Sequence, residues 1–160
     1  MRRNSRRCPT TVGATTVGIL IHTIMYYCSF RQTATAAMAP LGVPLRSLWN
    51  LREGQTYGVH PCNFGRSLAE LAPRWPAVEF VDIDGKEYPE AETEEALAAR
   101  VRAVLQYIMD QRELSELAVV SHCVWLHALL AECSVQTNHM LPWFEQGECR
   151  TITVCFGKPA

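Results

Sequence analysis

The chain has 160 residues, of which 48% are hydrophobic and 19% charged, with nine Gly and nine Pro. These values are typical of one globular domain with its own core, and they exclude a disordered or fibrous chain. The formal net charge of −1 excludes a general electrostatic attraction to nucleic acid, so we expect no nucleic-acid partner.

The start of the chain allows two interpretations. Residues 1–52 hold seven Arg and no acid, and residues 1–16 are predicted to be disordered or targeting-like. The apolar run at residues 17–30 is too short for a transmembrane helix and includes His22. It is predicted as a buried strand or, alternatively, as part of a targeting signal. We therefore expect no membrane span and a cytoplasmic protein, the alternative being an organelle-targeted or secreted one.

In the middle of the chain the predicted elements are short. Residues 32–40 favour a helix, and residues 47–51 favour a loop followed by a short strand. Turn-forming residues are concentrated at 53–66. A helix is predicted at about 67–73, and residues 74–91 are predicted as a long acidic loop.

The clearest helix spans about residues 94–113. Thr93 can cap its N-terminus, and the acids that follow favour the positive end of the helix dipole. Arg100 and other charged side chains fall outside the apolar stripe of this helix. The side chains of the stripe recur at helical spacing and are expected to be buried: Leu97, Val101, Val104, Leu105 and Ile108.

The second half of the chain ends in a further alternation of strand and helix. Residues 117–121 form a short, uniformly apolar run, which is typical of a central parallel strand covered on both sides. A mostly apolar helix at 124–133 and a strand at 150–156 follow, before a flexible tail at 157–160. This order predicts an α/β fold with a parallel core sheet, in one domain over residues 17–156.

His122 lies directly between a predicted strand and a predicted helix. Ligands collect at the carboxyl ends of strands in open α/β sheets, and a helix N-terminus offers N–H groups and a positive dipole to a phosphate. An imidazole there can donate a hydrogen bond to a phosphoryl oxygen. The alternative is a histidine with a purely structural role.

The cysteines give no sign of a metal site. The chain has seven Cys and no Cys-x-x-Cys pair, so we expect free thiols in a reducing compartment. Zinc sites need close ligand pairs, and His60-Pro61-Cys62 is the nearest candidate. We expect neither a metal nor another cofactor.

Several segments resemble motifs of the histidine phosphatase superfamily, the phosphoglycerate-mutase-like proteins. Residues 118–126, AVVSHCVWL, resemble its second-histidine motif, and Leu51-Arg52-Glu53 resembles its acid-bearing segment. His60-Pro61-Cys62-Asn63 resembles a P-C-D element of a plant, fungal and protist branch. Residues 29–36, SFRQTATA, are similar to the S-P-x-x-R-T-x-Q-T-A segment of the family. The resemblance covers residues 18–156 and implies a three-layer sandwich with a mostly parallel central sheet.

The same resemblance implies phosphomonoester hydrolysis or phosphoryl transfer through phosphohistidine, without metal. Arg31 and the backbone N–H of Cys123 would bind phosphate, and Glu53 would be the general acid/base that protonates the leaving oxygen. His122 would be catalytic and phosphate-stabilising. The alternatives are a surface arginine for Arg31 and an ordinary loop carboxylate for Glu53.

The nucleophilic histidine of the family lies in an R-H-G tripeptide, and no Arg-His-Gly occurs in this sequence. We therefore expect an N-terminally truncated or inactive phosphatase. The alternative is a non-catalytic binding module for a phosphorylated small molecule or a phosphoprotein. A missing first strand would also leave an exposed sheet edge through which the chain could self-associate.

Overall fold

The computed structural model describes residues 17–22, 29–57, 67–81, 91–111, 116–133 and 143–152. Within these ranges the strands are β1 (Val17–His22), β2 (Leu45–Leu48), β3 (Val78–Val81) and β4 (Glu116–Val120). The α-helices are α1 (Ser29–Met38), α2 (Leu68–Leu71), α3 (Glu94–Asp110) and α4 (Cys123–Glu132). Short 3₁₀ turns occupy Ala39–Leu41, Trp49–Leu51 and Ala72–Arg74.

The four strands form one sheet in the order β3-β2-β1-β4, and each neighbouring pair is parallel. β1 therefore lies between β2 and β4. Its register pairs His22 with Leu48 on one side and Ile21 with Val120 on the other. The carboxyl ends of β1, β2 and β4 are thus level with one another, and the segments that follow β2 and β4 start at the same edge of the sheet.

Helices cover both faces of this sheet. On one face Ala34 of α1 packs with Leu45 and Val78, and on the other face α3 and α4 pack against Leu48. Trp125 and Val101, both fully buried, fill the larger of the two cores. Alternate residues of β4 contribute to opposite cores, as the two-residue period of a strand requires. The predicted α/β sandwich with a parallel central sheet is confirmed.

The apolar run at residues 17–30 divides into two elements. β1 uses Val17–His22, and α1 begins at Ser29, three residues earlier than the predicted helix. The N-terminal segment 1–16 and the tail 157–160 lie outside the described residues. No helix in the described part of the chain is long and apolar enough to cross a membrane.

Two predicted segments differ in the structure. The acidic loop assigned to 74–91 contains β3, which is only four residues long and whose Glu79 is exposed and paired with Arg46 of β2 at 2.9 Å. At the other end, residues 150–152 form no strand, and the rest of the predicted 150–156 strand lies outside the described residues.

The predicted cap and apolar stripe of α3 are present, with two corrections. The Thr93 side chain accepts a hydrogen bond from the N–H of Ala96 at 3.1 Å. Three of the five stripe residues are buried, but Leu105 and Ile108 are only half-buried, because they lie at the margin of the core. Arg100, expected outside the stripe, is buried.

Candidate functional site

Glu53 and His122 meet at the carboxyl edge of the sheet. His122 follows β4 after one residue, Ser121, and Glu53 follows the 3₁₀ turn that extends β2. The Ser121 hydroxyl donates a 2.7 Å hydrogen bond to the carbonyl of Leu51, which ties the two segments together. His122 Nδ1 then lies 3.3 Å from Glu53 Oε2.

The two oxygens of the Glu53 carboxylate have different neighbours. The N–H of Gly54 donates to Oε1 at 2.9 Å, while Oε2 faces the imidazole of His122. The His122 side chain is 4% exposed and that of Glu53 is 17% exposed. The contact of Glu53 with Nδ1 fixes the orientation of the ring. The pair is therefore an oriented imidazole with a partly accessible carboxylate beside it.

Gly54 is packed tightly between α3 and α4. A Cβ atom at this position would lie 2.6 Å from Val124 Cγ1 and 3.1 Å from Leu97 Cδ2. Since real Cβ atoms do not approach carbon this closely, only glycine lets the chain after Glu53 lie against the start of α4. This close approach places the Glu53 segment next to His122.

A buried ionic network holds the backbone of the segment that contains Glu53. The Arg100 guanidinium binds both oxygens of Glu92, whose side chain is 3% exposed. It also donates to the backbone carbonyls of Asn50 and Arg52 at 2.8 and 2.9 Å, and to that of Glu53 at 3.3 Å.

Glu92 completes the network from the opposite side. It accepts from the Arg52 side chain at 3.2 Å and from the backbone N–H of Gln55 at 3.4 Å. Glu92 and Arg100 therefore fix the backbone on both sides of Glu53. The sequence contained one signal for Arg100: it lies three residues after Leu97 and four before Val104, at the edge of the apolar stripe.

The start of α4 adjoins the His122–Glu53 pair. His122 is the N-cap residue of α4, and its carbonyl accepts from the N–H of Leu126 at 2.8 Å. Burial raises the pKa of the Cys123 thiol, and the nearby Glu53 carboxylate raises this pKa further. The N–H groups of Cys123 and Val124 act in the opposite direction and lower it, but they do not prevail. A protonated thiol leaves the helix dipole as the anion-attracting feature here.

The structure brings together two of the predicted site residues and the helix start that contains Cys123. Arg31 belongs to the first turn of α1, but its side chain lies outside the described residues, so its predicted role stays a prediction. Within the described ranges no group of three or more His, Cys, Asp or Glu side chains is arranged to hold a metal ion.

A three-layer α/β fold with an imidazole–carboxylate pair at the carboxyl edge of a parallel sheet defines the class of this protein. The sequence profile of the histidine phosphatase superfamily (branch 1) matches residues 29–158. The chain belongs to this superfamily, and the family resemblance found in its motifs is confirmed.

Two curated proteins of Arabidopsis thaliana are similar to the chain. One, a phosphoglycerate mutase-like protein, is 36% identical over 83 residues, which cover 48% of this chain and 30% of that protein. The other, phosphoglycerate mutase-like protein 1, is 36% identical over 85 residues, with the same coverage of 48% and 30%. The chain thus spans about a third of the length of these relatives.

Proposed function

We propose that the chain binds a phosphomonoester at the His122–Glu53 pair, as a histidine-phosphatase site that does not turn its ligand over by itself. The observation that carries this proposal is the 3.3 Å contact between His122 and Glu53 beside the N-terminus of α4. An imidazole N–H and the N–H groups of a helix start can both donate hydrogen bonds to a phosphate dianion.

In this proposal each group has one role. His122, oriented by Glu53, donates a hydrogen bond to a phosphoryl oxygen. The N–H of Cys123 and the guanidinium of Arg31 bind the remaining oxygens. Glu53 is the acid that would protonate a leaving oxygen during hydrolysis or phosphoryl transfer. None of these groups supplies the attacking histidine, because the sequence contains no Arg-His-Gly.

Calorimetric titration of the purified chain with methyl phosphate tests the binding. We expect saturable binding that is lost in His122→Ala and weakened in Glu53→Gln. The matched control is Glu95→Gln, since the Glu95 carboxylate is 82% exposed and lies on α3. Methyl phosphate that binds parent and His122→Ala equally would contradict the proposal.

Turnover is tested separately with p-nitrophenyl phosphate. We expect no more than trace hydrolysis, because removing a catalytic nucleophile costs about a millionfold in kcat. Robust hydrolysis abolished by His122→Ala, with no phosphohistidine formed, would show that the proposed division of roles is wrong.

A non-catalytic role toward a phosphoprotein is the second candidate, favoured by the same absence of Arg-His-Gly. It predicts that a phosphopeptide binds much more tightly than methyl phosphate, with the same dependence on His122. Equal affinities for the two ligands would favour a small phosphomonoester instead.

A further inference from the structure

Three ring side chains from separate segments meet on the surface of the molecule. The indole of Trp143 stacks on the imidazole of His127 in α4, with ring centroids 4.2 Å apart and planes inclined by 13°. The ring of Tyr57 meets Trp143 edge-on, at 6.2 Å and 66°. We call Tyr57, His127 and Trp143 the aromatic corner, because two ring planes meet there at a steep angle.

The aromatic corner is connected to the His122–Glu53 pair through α4 and through the segment that follows Glu53. His127 lies four residues after Cys123 on α4, so the two side chains share a helix face, about 6 Å apart along the axis. Cys123 in turn is close enough to Glu53 for the carboxylate to raise the pKa of its thiol. Tyr57 follows three residues after Gly54, which packs against Val124. The link through α4 and the link through residues 54–57 both join the aromatic corner to the segments that contain His122 and Glu53.

The corner exposes aromatic surface to solvent. Among the described residues, two large aromatic side chains are exposed to solvent: Tyr57 at 70% and Trp143 at 47%. Their rings contact each other. His127 Nδ1 is shielded from solvent and has no hydrogen-bond partner within the described ranges. Stacking on Trp143 therefore orients this imidazole. An exposed aromatic surface next to a polar site is typical of a ligand-binding site.

We propose that the aromatic corner binds the ring of an aryl phosphomonoester whose phosphate lies at the His122–Glu53 pair. The ring packs against the exposed face of Tyr57 and presents its edge or face to Trp143, in the offset or T-shaped arrangements that aromatic pairs prefer. This inference rests on the proposed function and adds the chemical class of the ester. An alkyl phosphate would engage the pair without covering the corner.

Calorimetric titration with phenyl phosphate and methyl phosphate tests the inference on the full chain. Both ligands carry the same phosphate, so the ratio of their Kd values isolates the contribution of the ring. We expect phenyl phosphate to bind about 5- to 10-fold more tightly. This preference should disappear in Tyr57→Ala and in Trp143→Ala, while the Kd of methyl phosphate stays unchanged.

The matched control is Leu41→Ala. Leu41 is 67% exposed and precedes β2, at the amino ends of the parallel strands, whereas His122 lies at their carboxyl ends. The preference for phenyl phosphate should therefore survive the removal of the Leu41 side chain. Because Tyr57 and Trp143 are exposed, their truncation should leave the unfolding midpoint nearly unchanged, which a urea titration verifies.

Two results would overturn the inference. Equal Kd values for the two ligands in the parent chain would show that the corner does not bind the ring, while leaving the phosphate site intact. A preference that persists in the Tyr57→Ala, Trp143→Ala double variant would place the ring elsewhere. If neither ligand binds the parent, the proposed function itself fails, which is a distinct outcome from equal binding.

Discussion

The distance between Glu53 and His122 depends on Gly54, a residue without a side chain. A Cβ atom at Gly54 would lie 2.6 Å from Val124 Cγ1, so the lack of a side chain lets the segment after Glu53 pack against the start of α4. The Gly54 N–H also donates to Glu53, which makes this glycine both a spacer and a partner.

Gly54→Ala should separate Glu53 from His122. The added methyl forces the segment away from α4, at a cost of about 1–3 kcal/mol in the free energy of unfolding, and methyl phosphate should bind more weakly. Urea unfolding and calorimetry measure the two effects. Gly42→Ala is the control, because Gly42 has a φ of 66° and open space around it. It should lower stability by about 1–2 kcal/mol through backbone strain but leave phosphate binding unchanged.

The Cys123 thiol reports the charge on Glu53. Burial, and after it the Glu53 carboxylate, raise the pKa of this thiol, so less thiolate exists at neutral pH and alkylation by iodoacetamide should be slow, accelerating only at alkaline pH. In Glu53→Gln the carboxylate charge is gone, the pKa falls, and alkylation at neutral pH should become faster. Tandem mass spectrometry resolves this rate from that of Cys133, whose pKa is raised by burial and by a different carboxylate, Glu132. An unchanged alkylation rate of Cys123 in Glu53→Gln would show that the Glu53 carboxylate does not act on this thiol.

At the scale of elements, α3 supports the site through one side chain. Arg100 binds Glu92 inside the protein and holds three backbone carbonyls, so it stabilises the segment that contains Glu53. Arg102, two residues further on the same helix, is 49% exposed and forms ion pairs on the surface with Glu95 and Glu132. The two arginines form a natural comparison between a buried and an exposed ion pair.

Arg100→Ala should lower the free energy of unfolding by about 3–5 kcal/mol, because it leaves the Glu92 carboxylate buried without its main partner. Arg102→Ala should change it by about 1 kcal/mol or less, since exposed ion pairs contribute little. Urea denaturation of both variants gives the comparison. A loss in Arg100→Ala as small as the one expected for Arg102→Ala would mean that the network around Glu92 does not support the fold.

The elements differ in how well the sequence predicts them. β4, His122 and α4 could be predicted because a uniformly apolar run ends at a histidine and is followed by a mostly apolar helix. β3 could not, because four residues with one exposed acid, Glu79, give too short a pattern inside an acidic stretch. The roles of Arg100 and Glu92 depend on contacts across eight to fifty residues of chain, which helix periodicity does not contain.

At the scale of the whole molecule, the described sheet ends on one side in the short strand β3 and on the other in the apolar strand β4. The apolar composition of β4 is typical of a central strand, yet among the described strands β4 pairs only with β1. An apolar strand whose outer backbone edge has no neighbour among the described strands is a template for pairing with another chain. We propose that the isolated chain self-associates through this edge of β4.

Self-association should appear as a mass that rises with concentration in sedimentation equilibrium. The amides of Glu116–Val120 that do not bond to β1 should exchange with solvent quickly at low protein concentration and more slowly at high concentration, because pairing with a second copy protects them. Amides of α3, which lies on a face of the sheet, serve as the internal control and should show no dependence on concentration. A chain that remains monomeric while these β4 amides are already protected at low concentration would show that another segment covers the edge.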